Sequence, residues 1–157
     1  MISALVDKEI AAPALLRLLA YWEAKRGERR WPGRSDIDPV DFPYVLGNVT
    51  LIDVLGSPPQ FRIRLFGDNL ARKIGVELTG QTLDAIPFPE LRDHLTMRCR
   101  QIVERGTPYR TKGEYLMDGR QSRHEMLALP LSTDGVGIDM LLVAFWFTER
   151  QRYRPFS

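Results

Sequence analysis

The segment FRIRLFGDNLARKIGVELTGQTLDAI, residues 61–86, decides how the rest of the chain is read. Its first part alternates. Phe61, Ile63 and Leu65 fall on one side and Arg62 and Arg64 on the other, the period of a strand with one buried face. Gly67 and Asp68 break the strand, and Asp68 is placed to cap a short helix, DNLARKIG, that ends at Gly75. LTGQTLDAI then reads as a glycine-marked loop with a second helical turn. The segment carries no obvious catalytic group, so its short helix and loop ask for another role.

Upstream, NVTLIDVL at 48–55 is β-branched and apolar, a second strand joined to the first by the SPP turn at 57–59. ERRWPGRSDIDPVDFP at 28–43 is a loop, with a helical turn beginning at Asp38 and Pro39. Before it, PALLRLLAYWEAKRG at 13–27 places Leu15, Leu18, Leu19 and Trp22 on one helical stripe, with Pro13 in the first turn and Gly27 as the stop. Downstream, PFPELRDHLTMRCRQIVERG at 87–106 predicts the longest central helix, with Leu91, Leu95, Cys99 and Ile102 on its apolar stripe. Three strands follow, PYRTKGEYLM (108–117), SRHEMLALPL (122–131) and GIDMLLVAFWF (137–147), separated by hairpin turns. The last is apolar on both faces: Met140, Leu142, Ala144 and Trp146 on one, Leu141, Val143, Phe145 and Phe147 on the other. Such a strand is covered on both sides, by the central helices on one and by the first helix or a second subunit on the other. The expected architecture is α+β: one five-stranded antiparallel sheet, short helices on one face, and an amphipathic N-terminal helix. A single domain spans 1–157, with the helix and its cap at 1–30, the core at 31–147 and a tail at 148–157.

Composition agrees with one ordinary globular domain: 157 residues, of which 44% are hydrophobic and 27% charged. A net charge of +2 is too small to announce a nucleic-acid partner. Cys99 is the only cysteine, so no disulfide forms within the chain and a reducing, cytoplasmic setting is expected. No stretch has the roughly 18–20 apolar residues of a membrane span. MISALVDKEIAAPALL at the start lacks the basic and apolar regions of a signal peptide.

The order of elements resembles a PAS domain. Asn69-Leu70-Ala71, Gly75, Leu78-Thr79-Gly80 and Leu83 are similar to the Asn-x-Ala helix, glycine, Gly-bearing loop and apolar turn that follow the second strand in that family. WPGRSDIDPVDFPYVLGNVTLIDV (31–54) and FRIRLFGDNLARKIGVELTG (61–80) resemble more narrowly the short single-domain bacterial PAS proteins, the fifth PAS family. The resemblance covers residues 15–147. It implies a small cavity walled by the short helices and the sheet, and a stand-alone sensory or docking module whose output is contact with an unidentified signalling protein. The alternative is a ligand-free adaptor or dimerisation module with a filled core. The resemblance also gives Arg34 and Asp36 a structural role, pinning the loop to the sheet.

The apolar wall of that cavity is expected from Leu70, Ile74, Leu78, Leu83, Leu91 and Leu95 and from the inward face of the last strands, with Leu142 the named candidate there. Candidate polar groups are Arg64, Arg98, Tyr115 and His124. Leu15, Leu18, Leu19, Trp22 and Trp146 are candidates for a partner or homodimer face. Haem-binding members of the family use a histidine on the long central helix, which makes His94 a haem candidate; a cap or surface role beside Asp93 is the alternative. Flavin–cysteine photochemistry is excluded, because GDNLARKIG holds no cysteine and Cys99 sits on the later helix's core stripe. No pair of Cys or His has metal-ligand spacing, and no nucleophile or phosphate-loop motif occurs, so neither a metal site nor an enzyme is expected. The basic run KRGERRWPGR at 25–34 is read as a solvated loop with internal ion pairs, since Asp36, Asp38 and Asp41 follow at once.

Overall fold

The computed structural model describes residues 11–117 and 119–148. The readings of the first ten residues and of the tail from 149 lie outside them. Two antiparallel strands, β1 (Val49–Leu55) and β2 (Gln60–Phe66), form the first hairpin. A meander of β3 (Tyr109–Met117), β4 (Arg120–Leu131) and β5 (Met140–Phe147) then brings β5 back beside β1. The five-stranded sheet has the order β2-β1-β5-β4-β3, every neighbouring pair antiparallel. β5, the strand apolar on both faces, lies at its centre, where both faces are buried.

Helix α1 (Pro13–Arg26) covers one face. Leu15, Leu18 and Trp22 pack there on Leu127, Leu129 and Leu142, joined by Trp31, Ile37 and Phe42 from the loop. The chain itself thus covers the face that a second subunit was a candidate to cover. The opposite face carries α2 (Asp68–Ile74), a 3₁₀ turn (Leu83–Ala85) and α3 (Pro89–Arg105), whose stripe of Leu91, Leu95, Cys99 and Ile102 is buried as its period predicts.

One expectation for β2 fails. Leu51 pairs with Leu65 and Ile52 with Ile63, so Arg64 is an extra residue without a partner on β1. This bulge reverses the alternation. Phe61 and Ile63 face the helices α2 and α3, but Leu65 packs into the α1 core and Phe66 turns towards the helices instead. Arg64, on the bulge, is exposed and its Nε bonds Asp53 Oδ1 at 2.9 Å.

The loop between α1 and β1 is held by backbone and rings. Pro32 O accepts from Ser132 N at 3.0 Å. Trp31 Nε1 and Arg30 Nη2 donate to the carbonyls of Gly106 and Arg105, at 2.8 and 3.0 Å, which satisfies the C-terminal end of α3. Asp36 and Arg34 do not reach the sheet. Asp36 Oδ2 accepts from Gly33 N and pairs with Arg29, while Arg34 Nη1 donates to Ile37 O, so they tie the loop to itself. Asp38 does cap the expected turn, accepting from Val40 N at 3.1 Å before the 3₁₀ turn Pro39–Asp41.

The segment 67–82 is positioned by two glycines. A Cβ on Gly67 would collide with the Gly47 carbonyl and stand 2.9 Å from Leu46 O, so only glycine lets β2 turn into α2 over that loop. Gly67, and not Asp68, is the N-cap; Asp68 is the first helical residue. Gly80, at φ 88°, lets the chain fold back along β2. There Gly80 N donates to Ile63 O at 2.6 Å and Ile63 N to Gln81 O at 2.7 Å. The loop thereby covers the outer edge of β2 and delivers Leu83 onto the sheet.

Candidate ligand site

Between the sheet and helices α2 and α3 lies a cavity of about 30 Å³, room for one or two water molecules. Its roof is aliphatic: Leu70 and Ile74 from α2, Leu83 and Ile86 from the 3₁₀ turn and its cap, Leu91 and Leu95 from α3. Its floor is aromatic: Phe66, Tyr115, His124, Phe145 and Phe147. Thr50, Ile63 and Met117 complete the lining. Thr50 spends its hydroxyl proton on Leu65 O at 2.8 Å.

His124 is the unusual member. It is 2% exposed, and neither ring nitrogen has a hydrogen-bond partner among the described residues. Its ring stacks on Tyr115 with centroids 4.4 Å apart and planes 16° from parallel. Phe145 and Phe147 lie tilted beside it at 5.8 and 6.5 Å. Burial pushes its pKa down to about 4; an approach of the ring to the Ser122 backbone that falls outside good hydrogen-bond geometry opposes this, and His94 and Lys73 add to it. The imidazole is therefore neutral at pH 7, with one N–H donor and one bare nitrogen acceptor. Burial likewise drives the Tyr115 phenol far above its ordinary value.

Seven of the expected residues meet at this cavity: Leu70, Ile74, Leu83, Leu91, Leu95, Tyr115 and His124. Four do not. Arg64 sits on the bulge at the far side of the sheet, bound to Asp53. Leu142 belongs to the α1 core, because β5 alternates and its cavity face is Leu141, Val143 and Phe145. Leu78 is buried among the same helices but off the cavity. Arg98 lies over the Tyr109 ring at 4.9 Å, its Nη1 donating to Gln101 Oε1 at 2.8 Å. Of the candidate partner face, Leu15, Leu18 and Trp22 are buried on the side of α1 that packs on the sheet, which removes them from any outer surface; Leu19 and Trp146 stay half-buried at the margin of that core. Not named from the sequence were Thr50, Ile63, Phe66, Ile86, Met117, Phe145 and Phe147. The alternation of β5 already carried Phe145 and Phe147, whereas Phe66 was hidden by the bulge.

Haem does not fit this site through His94. The cavity is far smaller than a porphyrin. His94 lies on the other side of Tyr115, edge-on to its ring at 5.3 Å, does not line the cavity, and its Nε2 faces Arg98 Nε at 3.3 Å. Among the described residues no group of three or more His, Cys, Asp or Glu could hold a metal ion, and no helix is long and apolar enough to cross a membrane. The basic run is engaged locally: Arg26 pairs with Glu23 at 2.7 Å, Arg29 with Asp36 at 3.0 Å, and Arg30 caps α3.

The fold recurs in known structures. The PAS domain of Bordetella pertussis BvgS superposes with a TM-score of 0.54 at 16% identity, over 68% of this chain and 81% of that one. The Rhodobacter sphaeroides LOV protein gives 0.51 at 14% identity, over 65% of this chain and 59% of that one. At such identities the likeness concerns the fold alone. No curated protein matches the chain. The PAS_5 model, a PAS domain, matches residues 10–144, which takes in α1 and its loop as well as nearly all of the sheet. The chain therefore belongs to the PAS_5 family of PAS domains.

Proposed function

We propose that this PAS domain is a sensory module that detects a small molecule in the cavity between its sheet and short helices and reports it through contact with a signalling protein. The observation that carries the reading is His124, a buried ring on the wall of a largely apolar cavity, whose two nitrogens lack a hydrogen-bond partner among the described residues and lie covered just beneath the cavity surface. A buried polar group without a partner is unfavourable, and a bound molecule would relieve it.

An output route is built into β4. Consecutive residues of a strand face opposite sides, so His124 faces the cavity and Glu125 faces α1. The Glu125 carboxylate, 9% exposed, accepts from the backbone N–H groups of Ala11 and Ala12 at 2.8 and 2.9 Å, at the entry to α1. A ligand that shifts β4 would change how α1 begins, and so the surface a partner meets.

The test is extraction of small molecules from protein purified under native conditions, compared with an Ile86→Phe variant that fills the cavity. A compound enriched on the native chain and missing from the variant supports the sensor; identical extracts contradict it. The small resting volume favours a second reading, an adaptor with a closed core. In that case Ile86→Phe leaves partner binding intact.

A further inference from the structure

The class of molecule can be narrowed, on the premise that the cavity is a sensing site. We propose that it takes a neutral, planar molecule, an aromatic or conjugated ring bearing one hydroxyl or carbonyl, anchored by a hydrogen bond to His124.

Charge is the first constraint. No Asp, Glu, Lys or Arg lines the cavity. The neighbouring cations do not line it: Lys73 on α2 sits over the Phe147 ring at 5.0 Å and Arg98 on α3 over Tyr109 at 4.9 Å. A carboxylate or ammonium would leave water with no counter-charge to meet.

Shape is the second. The floor is rich in rings that stack on one another, Tyr115 on His124 at 16° and Phe145 beside Phe147 within 4°, centroids 6.0 Å apart. Slotting beside such rings, by edge-to-face or offset-stacked contact, favours a flat aromatic guest, whereas the aliphatic roof moulds to any outline.

Polarity is the third. Thr50 keeps only lone pairs to offer, since its proton is committed to Leu65 O. His124 offers one donor and one acceptor to a guest that draws its ring edge into the cavity, which a single hydroxyl or carbonyl satisfies, and the Tyr115 hydroxyl is the one other lining group able to donate. Polar groups on the side of the guest that meets the roof would be stranded against leucine and isoleucine.

Size requires the roof to move. A cavity of about 150 Å³ holds benzene in another protein, and the resting volume here is about 30 Å³. The yielding parts are the short ones. α2 has seven residues and ends at Gly75, and the 3₁₀ turn has three.

The experiment is calorimetric titration of the full chain, native and His124→Phe, with phenol, toluene and benzoate. The native protein should bind phenol about tenfold more tightly than toluene, the worth of one good hydrogen bond, and should not bind benzoate. His124→Phe should bind toluene and lose the preference for phenol, while His124→Gln should retain part of it. Equal binding of phenol and toluene, or a preference that survives in His124→Phe, overturns the anchoring role and leaves the sensing cavity standing. Benzoate binding as tightly as phenol overturns the neutral class. Failure of both phenol and toluene to bind overturns the cavity reading along with this one.

Discussion

Burying an imidazole with both nitrogens unpaired is unfavourable by about 1–3 kcal/mol for each unmade bond, and the domain tolerates this at His124. The sign of the pH dependence follows. With a pKa of about 4 in the fold against an ordinary 6.5, the unfolded chain takes up the proton first as pH falls. Stability is then lost progressively between about pH 6.5 and 4, by about 3 kcal/mol in all. Chemical denaturation across that range should show a shallower slope in His124→Phe, leaving the same-signed contribution of His94, whose pKa burial and Arg98 also lower. Equal slopes would mean that the ring is hydrated in solution. Cys99 offers a second check at this scale. Its thiol is fully buried and pushed up to about 12 by burial, so a thiol reagent should modify it only at the rate of unfolding.

At the scale of elements, the glycine contacts and the β4 cap carry the consequences. Gly67→Ala forces a methyl group against the Gly47 carbonyl and should destabilise the domain by at least about 1–3 kcal/mol in thermal or denaturant unfolding. Glu125→Ala removes the acceptor for two helix-entry N–H groups. Hydrogen exchange at residues 12–18 should accelerate, with a stability loss of about 1–2 kcal/mol, and Glu125→Gln should be milder because its amide oxygen still accepts. Most elements were legible in the sequence because each repeats a period: β5 with its two apolar faces, α3 with its four-residue stripe, the hairpins with their glycine turns. What stayed hidden is non-periodic. The bulge at Arg64 adds one residue and moves Leu65 and Phe66 to opposite faces, which no local pattern announces. The capping of α3 by Arg30 and Trp31 joins residues 75 apart. The cavity residues on helices were readable from their stripes, whereas Arg64 and Leu142 were misplaced for lack of the sheet's register, and Arg98 because it lies off the helix's apolar stripe, over Tyr109.

At the scale of the whole molecule, the sheet is enclosed from both sides by one chain. α1 and the loop bury the face that carries Leu127, Leu129 and Leu142, so the hydrophobic motive for a homodimer on that face is met internally. Removing residues 1–27 should leave a protein that binds a hydrophobic dye and aggregates; a soluble monomer without dye binding would show that α1 is dispensable to the core. The opposite core holds the cavity, and β4 touches both, through His124 on one side and Glu125 on the other. The most direct measurement is a long-range ¹H–¹⁵N spectrum of the histidine side chains at pH 7 while phenol is added. A neutral His124 ring whose nitrogen signals move with saturation is the predicted result. An imidazolium at that pH, or a neutral ring whose signals stay fixed throughout the titration, would contradict a ligand anchored at His124.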